Sequence, residues 1–176
     1  MKTRSSLRFV YALLIAVFAF GAFAAPAAFA APKGPTIVDV AIAANEDTGN
    51  FDILIEAVLA ADPIVFNTLS GNGQFTVFAP TDDAFEALLD DLNLTKDQLF
   101  ANKALLTKVL LYHVARGNRD SADILSSSRI RTLEGGFLSQ SGGVLTDANG
   151  RTSNIIDVDI RASNGIIHVI DRVVLP

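Results

Sequence analysis

The stretch Phe75-Thr76-Val77-Phe78-Ala79-Pro80-Thr81-Asp82-Asp83-Ala84-Phe85-Glu86-Ala87-Leu88-Leu89 constrains the fold more than any other part of the chain. Phe75 to Ala79 is a short aromatic and β-branched run, apolar on both faces, which reads as a buried strand. Pro80 lacks a backbone donor and stops that strand. Thr81 can cap a helix through its hydroxyl, with Asp82 and Asp83 in the first turn against the positive helix end. Ala84, Phe85, Leu88 and Leu89 return at helical spacing, so this helix lays an apolar stripe back over the core. One stretch thus supplies a central strand, a hard corner and a covering helix.

Residues 1–30 stand apart from this domain. Lys2, Arg4 and Arg8 form a basic start, Phe9 to Phe23 is an uncharged apolar run, and Ala28-Phe29-Ala30 is a small-x-small cleavage pattern. Together they read as a secretory signal peptide cut after Ala30, with Ala22-Phe23-Ala24 as a second possible cut. The alternative is an uncleaved membrane anchor, but the run falls short of the ~20 residues that a spanning helix needs. Residues 31–35 are a short Pro/Gly leader, and 36–176 form one domain of ordinary size.

Removing the signal takes three of the fourteen Lys and Arg and none of the nineteen Asp and Glu, so the net charge moves from −5 to −8. An acidic exported domain is a poor partner for nucleic acid, and no stable membrane insertion is expected once the signal is gone. Cysteine is absent. The fold must therefore rely on a packed core, and thiolate metal sites and cysteine nucleophiles are excluded.

Along the chain, Thr36 with Asp39 marks a helix start. Phe51, Leu54, Ile55, Val58 and Leu59 make an amphipathic helix, and Asp62-Pro63 opens another that Gly71 to Gly73 closes. Thr95 with Gln98 forms a second capping box, and Leu105, Leu106, Val109 and Leu110 form a further stripe. Past Leu111 the period changes. Tyr112-His113-Val114 begins an extended stretch, and a short helix is expected around Ala122 to Leu125. Ile130 to Leu133, Phe137 to Ser141 and Val144 to Thr146 read as brief strands. Asn149-Gly150 and Asn164-Gly165 are hairpin signals that call for positive φ. Between them Ile156, Val158, Ile160 and Ala162 alternate with Asp157, Asp159 and Arg161, a half-buried strand with its acids outward. Ile166 to Ile170 and Val173 to Leu175, apolar on both faces, are expected to lie centrally. Helices wrapped on an antiparallel β-sandwich, an α+β domain, follow from this order.

These residues also carry a family likeness. The stretch from Phe75 to Phe85 resembles the first signature of the fasciclin domain. Leu110-Leu111-Tyr112-His113-Val114 is similar to that domain's central Tyr-His element. Asn164-Gly165-Ile166-Ile167-His168-Val169-Ile170-Asp171-Arg172-Val173-Val174-Leu175-Pro176 resembles its closing signature. Order and spacing match from about Thr36 to Pro176. The resemblance implies a wedge-like β-sandwich with a helical flank, in exported or surface proteins linked to adhesion. It implies structural roles for Phe75, Thr76, Phe78, Pro80, Thr81, Phe85, Asn164, Gly165, His168 and Asp171. In animal members integrin recognition is attributed to an Asp-Ile pair before the closing signature and to the Tyr-His element. The matching positions are Asp159-Ile160, and Tyr112-His113 with Leu110, Leu111 and Val114.

Each chemical candidate has a plainer structural reading. His168 shares a strand face with Ile166 and Ile170, as a buried imidazole satisfied by backbone or Asp partners would. His113 stands at a helix-to-strand junction. Two histidines so far apart, without cysteines, make a weak metal site. Asp82 and Asp83 are accounted for by their helix turn, and Asp90, Asp91, Asp157 and Asp159 by a solvated acidic face with no calcium loop of known spacing. Asn93-Leu94-Thr95 fits a glycosylation sequon, although Thr95 is already a cap. Ser70, Ser121 and Ser163 sit in turns, none within a Gly-x-Ser-x-Gly elbow, and no phosphate loop or dinucleotide fingerprint occurs. No catalytic, metal or cofactor residue is assigned. The expectation is a secreted binding module for an extracellular protein or polysaccharide. The alternatives are an exported hydrolase using His113 or His168 with a carboxylate, and a calcium-dependent carbohydrate binder.

Overall fold

Pro80 and Thr81 do in three dimensions what their chemistry dictates. The computed structural model describes residues 34–176; residues 1–33, where a signal peptide and the start of the leader are expected, lie outside them. Strand β1 (Phe75–Pro80) is buried along its whole length, and Thr81 caps helix α4 (Asp82–Leu92) by accepting the Ala84 N–H at 3.3 Å. Before it come α1 (Ile37–Thr48), α2 (Asp52–Ala60) and α3 (Pro63–Leu69). After it come α5 (Lys96–Ala101), α6 (Lys103–Tyr112), β2 (Val114–Arg116), α7 (Ser121–Ser126), β3 (Arg129–Arg131), β4 (Phe137–Ser141), β5 (Val144–Thr146), β6 (Thr152–Ala162) and β7 (Gly165–Ile170). Both capping boxes form, at Thr36 with Asp39 and at Thr95 with Gln98.

The seven strands lie in the order β2-β1-β7-β6-β5-β4-β3. A single antiparallel bridge, Ala115 to Thr132, brings the two outer strands together, so the sheet curls almost into a barrel. The α+β class stands, but the sheet is not wholly antiparallel: β1 runs parallel to β7, from Phe75 beside Gly165 to Pro80 beside Ile170. Two strands far apart in sequence can pair this way because both are buried on both faces, as parallel strands usually are. Phe75, Val77, Ala79, Ile167 and Val169 face a core shared with Phe85, Leu88, Leu106 and Leu110 of the helices. Phe78 and Ile170 face a second core inside the curled sheet, with Tyr112, Ile130, Leu138 and Leu145.

Gly165 is glycine because of this parallel contact. A Cβ there would collide with the Phe75 carbonyl oxygen and meet Ile37 Cδ1 at 2.6 Å. The expected primed turn at Asn164-Gly165 does not form, since the two-residue connection is Ser163-Asn164 and neither residue has positive φ. Asn149-Gly150 likewise belongs to a longer turn, closed by Asp147 N–H to the Arg151 carbonyl at 3.0 Å, with Gly150 at φ 79°.

Three other expectations are corrected. Tyr112 ends α6 instead of starting a strand, and His113 is its helical C-cap. Its β-forming residue type is overridden by burial of the ring and by a hydrogen bond to the Phe137 carbonyl. Val173 and Val174 are buried and Leu175 half-buried, but the segment pairs with no strand, and side chains take the Val174 and Leu175 N–H groups instead. In β6 the alternation fails, because register shifts on either side of Asp157 re-aim the side chains around it. Ile156 and Val158 turn outward, 56 % and 44 % exposed, while Ile155 and Ile160 pack inward.

Candidate functional site

The first signature stretch meets the other two through backbone pairing of β1 with β2 and β7, and the second meets the third through the His113 side chain. His113 Nδ1 donates to the Val109 carbonyl one turn back at 2.8 Å, and Nε2 accepts the Val174 N–H at 3.1 Å. The residue is 3 % exposed. Burial pushes its pKa down to about 4, against the Val109 hydrogen bond and the charge of Asp147, which push it up. The closing segment has no strand partner and would otherwise leave buried N–H groups empty, each costing ~1–3 kcal/mol. Ser153 Oγ accepts the Arg172 N–H, His113 accepts that of Val174, and Asp147 Oδ2 accepts that of Leu175.

His168 performs the same task with its nitrogens reversed. Nε2 donates to the Arg119 carbonyl at 3.0 Å, and Nδ1 accepts the Asp159 N–H at 3.4 Å. The ring is fully buried and stacks on Phe78, with centroids 5.9 Å apart. It thereby fastens the loop before α7 and the β6 bulge to the central strand.

Asp159, expected on an outward face, stands in that bulge at φ 62°. This is a left-handed conformation that favours Asp and Asn among non-glycine residues. Its two carboxylate oxygens accept the Ser121 N–H at 2.8 Å and the Ser121 hydroxyl at 2.6 Å. The bond from the Ser121 hydroxyl is the largest cause of its lowered pKa; burial opposes it, while the Ser121 N–H, His168 and Arg161 assist. Ile160, next in sequence, turns into the helical core. The structure thus separates the two members of the Asp-Ile pair.

Tyr112 is fully buried, and its hydroxyl donates to the Phe137 carbonyl at 2.7 Å and accepts the Ala148 N–H at 3.2 Å. Burial raises its pKa, assisted by Asp147 and Glu134. Leu110 and Val114 are buried and Leu111 half-buried around it. Asp171 accepts from the Asn154 N–H and side-chain amide and from the Ser153 hydroxyl. Burial works to raise its pKa, but these bonds outweigh it and the net shift is downward. Thr76 Oγ1 donates to the Gly117 carbonyl and accepts the Arg119 N–H, tying β1 to the loop after β2.

Asn164 and Asp82 do more than the sequence implies, and Asp147 is a structural residue that the sequence analysis does not single out. Asn164, 1 % exposed, accepts the Ile37 N–H at 2.8 Å and donates to the Leu69 and Gly71 carbonyls at 2.7 and 2.8 Å. It joins α1, α3 and the β6–β7 connection at one point. Asp82 accepts the Asp52 and Ile53 N–H groups, and so caps α2 from another helix. The signal was present: the N-cap of α2 is Phe51, which has no capping oxygen of its own. Asp147, buried, accepts from Asn149 and Arg151 as well as Leu175. Its place two residues before Asn149 is an Asx-turn signature. Asp83, Asp90, Asp91 and Asp157 are exposed. Among the described residues no three His, Cys, Asp or Glu side chains converge as a metal site would require, and no helix is long and apolar enough to cross a membrane. Asn93 of the sequon is exposed as the left-handed C-cap of α4.

Comparison with known proteins agrees with this architecture. The family model of the Fasciclin domain matches residues 49–176. Protein sll1483 of Synechocystis is 42 % identical over 148 residues, taking in 80 % of this chain and 73 % of that protein. Immunogenic protein MPB70 of Mycobacterium bovis is 31 % identical over 157 residues, covering 85 % of this chain and 78 % of its own length. Human periostin is 30 % identical over 147 residues, which are 81 % of this chain but 16 % of periostin. Among solved structures, a FAS1 domain pair from the insect cell adhesion molecule Fasciclin I shares the fold, with a TM-score of 0.58 at 16 % identity over 73 % of this chain and 46 % of that one. With a mixed α+β fold, three interlocked signatures and these relatives, the chain belongs to the fasciclin domain family.

Proposed function

We propose that this chain is a binding module that works outside the cytoplasm, at a cell surface or envelope. It holds a protein or polysaccharide on its outer surface and transforms no substrate. The observation that carries this reading is the state of the two imidazoles. A general base must reach the proton it takes, within about 3 Å or through one water. His113 and His168 are buried, and each has both ring nitrogens engaged by main chain. That arrangement favours binding over the hydrolase alternative. The adhesion part of the reading extends to this chain what is said of Fasciclin I. The location outside the cytoplasm rests on the signal-peptide pattern of residues 1–30.

The test is retention of cells or envelope fragments on a surface coated with the purified protein. Retention above that of a coated blank protein is expected; none would remove the proposal. Asp159→Ala is expected to retain as the parent does, because that carboxylate is engaged by Ser121. A loss of retention with unchanged melting would return Asp159 to the contact surface.

A further inference from the structure

We propose that Arg116, Arg119 and Arg131 form a pocket for the carboxylate or sulfate groups of an acidic polysaccharide. The three side chains, with Thr132, Leu133 and Gly135, line a cavity of about 430 Å³ at the seam where the sheet closes. A water takes ~30 Å³ of liquid volume, so this space suits a charged group on a larger ligand. The proposal deepens the binding reading above and rests on it.

The seam explains how the arginines come together. The Ala115–Thr132 bridge is antiparallel, so Arg116 stands directly opposite Arg131, one residue further along each strand. Ala115 and Thr132 are buried, and the two arginines point the other way, into solvent. Like charges placed directly opposite in a sheet are destabilising, and a fold does not need this pair. Arg119 is brought to the same cavity by the Gly117–Asp120 loop. That loop is held by Thr76, by the Gly117 N–H to the Gln74 carbonyl, and by His168 through the Arg119 carbonyl. The main chain that carries the third guanidinium is thus fixed before any ligand arrives.

None of the three guanidiniums has a hydrogen bond or ion pair with a described residue, whereas Lys96, Lys108, Arg151 and Arg172 each sit against an acid. The acids nearest in sequence are engaged elsewhere. Asp120 accepts the Asp123 N–H, and Glu134 accepts the Gly136 N–H and faces Lys108. Arginine's planar fork bonds an oxyanion through two parallel N–H groups, so an unpaired cluster is built for carboxylate or sulfate. The chain's net charge of −5 argues for the class of polymer. A densely charged polyanion such as nucleic acid would be repelled by the surrounding surface, whereas a sugar chain bearing spaced charges can present one to the pocket.

Calorimetric titration of the purified protein with polygalacturonate, chondroitin sulfate, neutral dextran and double-stranded DNA tests this. Binding to one or both acidic sugars is expected, weakening as salt rises, with none to neutral dextran and weaker binding to DNA. The Arg116→Gln/Arg131→Gln variant should bind at least tenfold more weakly, while Lys103→Gln, an exposed cation on the helical flank, should bind as the parent does. Both arginines are exposed, so the double variant should melt no lower than the parent. The proposal is overturned if neither acidic sugar binds, if the double variant binds unchanged, or if DNA binds more tightly than both sugars. Cell retention by the parent, with sugar binding unchanged in the double variant or absent from both, would overturn the pocket and leave the binding reading. Sugar binding that depends on the arginines, with no cell retention, would overturn the adhesion reading and leave the pocket.

Discussion

Acid should weaken this domain in a pH range set by His113. Unfolded, its imidazole has the ordinary value near 6.5; folded, burial lowers it to about 4. Between those values the unfolded chain binds more protons than the folded one, so stability rises with pH and is lost as pH falls from 6.5 toward 4. At ~1.36 kcal/mol per unit, the full shift is worth roughly 3 kcal/mol, of which about 2 kcal/mol is already gone by pH 5. Asp39, Asp159 and Asp171 also have lowered values, but their contribution is present above the ordinary carboxylate value of 3.8 and is lost only as pH falls below it. The interval from pH 7.5 to 5 therefore separates the imidazole from these carboxylates. Urea unfolding of the parent and of His113→Gln, each at pH 7.5, 6, 5.5 and 5, gives the comparison, with equal m-values as the control for two-state behaviour. At pH 7.5 the variant should be less stable, having lost the ring that bridges the Val109 carbonyl and the Val174 N–H. The gap should narrow by about 2 kcal/mol at pH 5, because glutamine has no proton to bind. A gap that stays constant over that range would refute the account of His113 as a buried neutral acceptor.

Other substitutions test the joints around it by urea unfolding. Asn164→Ala should cost roughly 2–4 kcal/mol, because it strips partners from the Ile37 N–H and the Leu69 carbonyl at a buried point. Gly165→Ala should cost about 1–3 kcal/mol, since the added methyl meets the backbone of β1 and neither strand can retreat from the parallel pair. Asp82→Ala should cost about 1 kcal/mol or somewhat more, the usual loss for a helix cap, and Asp83→Ala far less. Both lie in the first turn of α4, but Asp82 alone caps α2. Equal losses at the two positions would contradict that division.

What could be read from the sequence was mostly local. The Phe75–Leu89 corner, both capping boxes and the Asp62-Pro63 start depend on residues within one turn of each other, so their chemistry predicts them. The parallel pairing of β1 with β7 joins segments far apart in the chain, and no local signal encodes it. Val173 to Leu175 reads as a strand because it is apolar on both faces. The N–H groups of this closing segment are taken by Ser153, His113 and Asp147 from distant segments, which periodicity cannot show. The alternation through Ile156 to Ala162 misleads for a related reason: Asp159 in a left-handed bulge shifts every side chain around it. The burial of His168 among Ile166 and Ile170 was legible from strand parity, yet its partner at Arg119 was not. Arg116 and Arg131 are well separated in an acidic chain and look like unrelated surface charges until the Ala115–Thr132 bridge sets them opposite each other.

Both imidazoles are held inside the fold as bridges between main-chain groups. Long-range nitrogen–proton NMR of the ring nitrogens at pH 7 reads this directly. His113 should carry its proton on Nδ1 and His168 on Nε2, opposite tautomers fixed by the Val109 and Arg119 carbonyls. A common tautomer, or averaging between the two in either ring, would contradict it.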